Sequence, residues 1–78
     1  DNVVVMTYLG ACLNVKASNL SKEEGKAVYE ESIKHLDKAK ELDPEKAQAN
    51  WGYTRYQAYY GYYGPNAPET KKAEEESK

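Results

Sequence analysis

Glu31 and His35 stand four residues apart, a spacing that puts both on one helical face and could bring two ligands to a metal. No third ligand falls in phase with them, so a solvated charged face is the expected role. Glu30 and Glu31 are adjacent and point in different directions on a helix, which makes them a poor acid–base pair. His35 is the only histidine, and no nucleophile stands in a recognisable arrangement with it. No glycine-rich phosphate loop follows a strand, and no strand is predicted at all. Cys12 lies in an apolar helical stretch, where a buried and inert thiol is expected; as the single cysteine it forms no intrachain disulfide. The run Glu74-Glu75-Glu76 reads as solubilising. These residues predict no metal, no cofactor and no catalysis of the chain's own, which leaves recognition as the chemistry to look for.

The side chains suited to recognition are concentrated. Nine aromatic residues comprise Trp51 and eight tyrosines, and six of the tyrosines lie between Tyr53 and Tyr63. Arg55 stands among them as the only arginine. Bases stack on tyrosines, but nucleic-acid binding also needs a basic groove. The net charge is −2, and this region adds only Lys46 to Arg55, so no nucleic-acid partner is expected. A sugar could stack on Trp51, Tyr59 and Tyr62, although only Gln48 supplies a polar amide beside them.

Seventy-eight residues suffice for one small domain or a few units of a larger array, with a core that is marginal without a partner. The chain opens at Asp1 without an initiator methionine, which fits removal of an upstream stretch. The charge-free run from Asn2 to Val15 is shorter than the roughly twenty residues a bilayer requires, and it lacks the basic flank of a secretion signal. It is read as a core helix, with no membrane span. No compartment is marked; cytoplasm and bacterial periplasm both fit.

The apolar periodicity predicts an all-α chain with three main helices, over about 3–17, 21–42 and 45–63, and a polar tail. Residues 1–64 form the helical domain of this reading, and 65–78 a proline-containing turn and charged tail, which can form a short frayed helix but is too poor in apolar residues to pack a core by itself. In the first helix, Met6, Leu9, Leu13 and Leu20 follow one face while Val4, Tyr8, Ala11 and Val15 follow another. A helix apolar on both sides expects cover on both sides, the second from a preceding repeat or another subunit. Ser21-Lys22-Glu23-Glu24 has the capping-box spacing that opens the second helix. Tyr29, Ile33, Leu36, Ala39 and Leu42 form its inner stripe, Glu30 and Lys34 pair across its solvent side, and Gly25 weakens its start. Asp43-Pro44 ends it, since proline removes a donor and disfavours helix at the preceding residue.

Met6-x-x-Leu9-Gly10-x-x-Leu13, followed in phase by Leu36, Ala39 and Asp43-Pro44, resembles the tetratricopeptide-repeat family, whose unit is an antiparallel helix pair of roughly 34 residues. The glycine in that pattern lets the two helices approach closely. Two departures stand out: the stretch from Met6 to Pro44 is about ten residues longer than in the family, and Ser32 replaces the usual small residue. Trp51 or Tyr53, Thr54 and Gly61 match the start of a second unit, whose next helix is replaced by the turn and tail. The resemblance covers about one and a half units and implies the C-terminal end of an array, with the first and third helices lining a concave surface. It also implies a protein or peptide partner. A clamp for a terminal carboxylate would draw on Asn14 and Arg55, and no full set for it is present.

On the third helix Tyr53, Tyr56, Tyr60 and Tyr63 form one stripe with Ala49, expected to pack on the second helix. Trp51, Arg55, Ala58 and Tyr62 form another, with Tyr59 beside it, open to a terminal helix, a second subunit or a ligand. The sequence therefore points to a non-catalytic interaction module with Asn14, Gln48, Trp51, Arg55 and Tyr59 as groove residues, or else to a structural segment that oligomerises. On the groove reading, replacing Arg55 and Tyr59 by alanine abolishes capture of the partner and leaves the helical signal intact.

Overall fold

Ser21 caps the second helix as its spacing predicts. Ser21 adopts an extended backbone, its Oγ accepts from the Glu24 amide at 3.3 Å, and its hydroxyl donates to Glu24 Oε1 at 2.9 Å. In the computed structural model, which describes residues 2–46 and 51–77, the chain is all-α. Helix α1 spans Asn2–Ser18, α2 Lys22–Leu42, α3 Gly52–Tyr63 and α4 Pro68–Glu76. Pro44 opens a single 3-10 turn, Pro44–Lys46, as its fixed φ and missing donor allow at a first helical position. Residues 47–50, and with them the predicted join to the third helix and the Ala49 contribution to its stripe, lie outside the described residues.

Helix α2 packs against α1 on one side and α3 on the other, α1 also meets α3, and α4 lies on α3. The result is a slab of 33 × 25 × 15 Å. A helix with side chains is about 10 Å thick, so a slab this thin leaves every helix a solvent face. Two glycines set the spacing around α2. A Cβ at Gly10 would lie 2.7 Å from Leu36 Cγ, and one at Gly61 would collide with the Tyr29 ring. Gly25 has the same use: a Cβ there would come within 2.7 Å of the Ala17 carbonyl oxygen, so it lets the α1 C-terminus approach α2.

The core holds Val3, Ile33, Leu36, Ala39, Trp51, Ala58, Tyr59 and Ala73. Several expectations are corrected here. Leu42 closes the predicted inner stripe of α2 but is 51% exposed at the end of the helix, one turn beyond the fully buried Ala39. Cys12 is exposed, on the outer side of α1. The inner face of α1 is Val3, Gly10, Asn14 and Ala17, while Val4, Val5, Tyr8, Leu9 and Val15 face solvent.

Helix α3 is turned the opposite way from its predicted packing. Tyr53, Tyr60 and Tyr63 are exposed, Tyr56 alone of the predicted stripe packs part-buried against the core, and Trp51, Arg55, Ala58 and Tyr59 are buried. The small Ala58 lets α3 approach closely, and the outward tyrosines keep their hydroxyls in water, where they need no protein partner. The tail forms the short helix that its sequence allows, and that helix docks on the core. Residues 68–76 are helical, with Thr70 and Ala73 buried against the core. Small side chains and a carboxylate, rather than large apolar residues, do the docking.

Candidate functional site

Four of the five residues singled out for partner contact are described, and all four are interior: Asn14, Trp51, Arg55 and Tyr59. Gln48 lies outside the described residues. The four fall into two polar clusters, one on each side of α3.

The larger cluster is built on Arg55. Its Nε donates to Asp37 Oδ1 at 2.7 Å, one terminal nitrogen donates to the Tyr59 hydroxyl at 3.0 Å, and the other reaches Glu76 Oε1 at 3.5 Å. The guanidinium lies over the Tyr59 ring, 4.5 Å from its centroid, and 6.0 Å from that of Trp51. Tyr59 in turn donates to the Asp37 carboxylate, whose oxygens lie 3.1 and 3.2 Å away. The Trp51 indole N–H donates to the Asp43 carbonyl at 2.7 Å, so the Asp-Pro corner and the aromatic helix are tied together. Sequence gave one overlooked signal for this arrangement. Asp37 lies at the edge of the inner stripe of α2, next to Leu36, where a cation on a neighbouring helix can reach it, and Arg55 is the chain's only arginine.

Helix α4 closes the cluster. Thr70 donates to the Tyr59 carbonyl at 3.1 Å, and Glu76 bridges Arg55 of α3 and Lys40 of α2. Burial alone would raise the Glu76 pKa, but the Lys40 hydrogen bond and the charges of Arg55, Lys40 and Lys72 hold it below the usual carboxylate value. A depressed carboxylate contributes stability above its unfolded pKa and loses it as pH falls through the folded one. Acidification from neutrality to below the normal glutamate range is therefore expected to loosen α4 before the rest of the chain. Amide hydrogen exchange at Lys71–Ser77 reads this, and Glu76→Gln should show the loosened α4 at every pH, by roughly 1 kcal/mol for a partly exposed pair. Exchange that is the same in the variant and insensitive to pH would contradict the bridge.

The second cluster centres on Asn14. Its amide donates to the Thr54 carbonyl at 3.1 Å, and its Oδ1 lies 2.7 Å from the Ser32 hydroxyl, which is also 3.0 Å from the Gly10 carbonyl. Ser32 thus fills the small-residue position with a hydroxyl that joins α2 to α1. Among the described residues no buried side-chain polar atom lacks a partner.

These clusters hold helices together and are saturated with internal contacts. Burial, first of all, pushes the Tyr59 phenol up to about 12, so it stays a hydrogen-bond donor at neutral pH. On Arg55 burial acts to lower the pKa, but the Asp37 hydrogen bond and the surrounding charges outweigh it and keep the guanidinium charged. A carbohydrate platform needs Trp51 and Tyr59 at the surface, and both are interior. Among the described residues no three histidine, cysteine, aspartate or glutamate side chains converge on a metal position, and no helix is long and apolar enough to cross a membrane. The accessible surfaces suited to recognition are the outer face of α1 and the outward tyrosines. The chain matches no protein-family model, and no curated protein or solved structure matches it.

Proposed function

We propose that this chain is a non-catalytic protein–protein interaction module made of tetratricopeptide-like helical hairpins. One observation carries the reading. Val4, Val5, Tyr8, Leu9 and Val15 are between 44% and 70% exposed along a helix that bears no charge from Asn2 to Val15. Contiguous apolar surface of this kind marks sites of protein contact. At 17 residues α1 is about 25 Å long, the right length to lie along a partner helix. An uncharged stripe selects an apolar helical surface, since a charged partner would be desolvated there without compensation. With Asn14, Trp51, Arg55 and Tyr59 interior, this reading assigns partner contact to the outer face of α1.

The double variant Val5→Lys plus Leu9→Lys tests it. Both positions are exposed, so the helical signal should persist while association through α1 is lost. Sedimentation at micromolar concentration distinguishes sources of the partner: concentration-dependent mass that vanishes in the variant means a second copy supplies the helix. A wild-type chain that stays monomeric and shows no lysine-sensitive capture of an amphipathic helical peptide overturns the proposal.

A further inference from the structure

A cleft of ≈ 550 Å³ lies between the first turns of α2 and the end of α3. It is lined by Lys22, Lys26 and Tyr29 from α2 and by Tyr60, Tyr62 and Tyr63 from α3. The backbone builds it deliberately. Gly61 has no side chain, so the Tyr29 ring lies against α3, and Gly64, at φ 96°, turns the chain at the end of α3 so that Pro65 joins the lining. Tyr62 and Tyr63 meet edge to face with centroids 4.7 Å apart, which fixes their orientation. Lys26 Nζ stands 5.2 Å from the Tyr62 ring centroid, and neither Lys22 nor Lys26 has a carboxylate partner among the described residues. Beside the cleft, Tyr62 donates to Glu30 Oε2 at 3.4 Å, and Glu30 faces Lys34.

We infer that this cleft binds a short acidic peptide segment carrying an aromatic side chain beside its carboxylates. The inference extends the interaction-module reading to a second surface. Rigid tyrosine rings supply contact area at low entropic cost, and the two lysines supply charge complementarity at one end only. No asparagine, glutamine or aspartate lines the cleft to hold sugar hydroxyls, and two lysines are too few to track a nucleic-acid backbone.

The test titrates the full chain with acetyl-Glu-Glu-Phe-Glu-amide and follows backbone amide resonances. Saturable shifts confined to Lys22–Tyr29 and Tyr60–Gly64 are expected, weakening as salt rises from about 0.05 to about 0.5 M. Lys22→Gln plus Lys26→Gln, both at exposed helical positions, should weaken binding roughly tenfold. The counterpart acetyl-Lys-Lys-Phe-Lys-amide should not bind. Absence of saturable shifts, equal affinity of the two peptides, or unchanged affinity in the lysine variant each overturns the inference. So does a sulfated oligosaccharide that gives the same shifts at lower concentration. The α1 variant Val5→Lys plus Leu9→Lys should keep the peptide response, so failure at the cleft and failure at α1 are separate results.

Discussion

Arg55→Ala is expected to lower stability by about 2–4 kcal/mol, a large share of what a chain of this size possesses. The substitution removes the cation that pairs with Asp37, meets Glu76 and lies over the Tyr59 ring, and it opens a void next to Trp51. Breaking a buried pair from one side leaves the other charge uncompensated. Asp37 is about half exposed and rehydrates in part, which keeps the loss below the upper end of that range. Arg55→Lys should recover less than half, because an ammonium lacks the fork that reaches Asp37, Tyr59 and Glu76 together. Urea unfolding followed by circular dichroism and by the fluorescence of the single Trp51 gives the measurement; an unchanged midpoint in Arg55→Ala would refute the structural role. The same reasoning revises the paired change of Arg55 and Tyr59. Both are interior, so removing them attacks the fold and cannot serve as a clean probe of partner binding.

What could be read in the sequence was whatever local chemistry decides. The Ser21 cap, the Asp43-Pro44 corner and the Ile33–Leu36–Ala39 stripe each depend on residues within a turn or two, and each appears as predicted. The facing of α3 does not depend on local chemistry. Both of its sides are aromatic, so periodicity gives no preference, and the choice falls to the long-range pairing of Arg55 with Asp37 across 18 residues. The docking of α4 is hidden in the sequence for a related reason. Its buried contacts come from Thr70 and Ala73, which carry little hydrophobic signal, and from Glu76, which looks like one more tail carboxylate until Lys40 and Arg55 stand opposite it. Helix α1 is the instructive intermediate. Its apolar excess on two sides was visible, but its inner face is marked by Gly10, Asn14 and Ala17 rather than by its largest residues. Among the candidate site residues, the types suited to recognition were identified and their placement was not, since a buried arginine and an exposed one look alike in sequence.

Asn14→Asp should be the most disruptive change on α1, costing about 2–4 kcal/mol at neutral pH despite near-identical shape. The native amide donates to the Thr54 carbonyl, and a carboxylate oxygen in that place would face another acceptor with no cation beside it. The hydroxyl of Ser32 can still donate to the new side chain, so the loss concerns the α1–α3 contact more than the α1–α2 contact. The sign of the pH dependence follows. Burial without a cation raises the folded pKa of the introduced carboxyl, so its neutral form, which can donate to Thr54, restores stability as pH falls, and the loss returns as pH rises through that value. Asn14→Ala should cost less, about 1–3 kcal/mol, and show no such dependence. A cycle with Ser32→Ala apportions the network: coupling of roughly 0.5–1.5 kcal/mol is expected for two side chains in direct contact, and strict additivity would deny it. Because Asn14 is the side chain that fixes α1 against α3, the aspartate variant should also lose association through the Val5 and Leu9 face at neutral pH and regain it on acidification. Association that persists at neutral pH, in a variant destabilised as expected, would mean that the outer face of α1 works without its anchor.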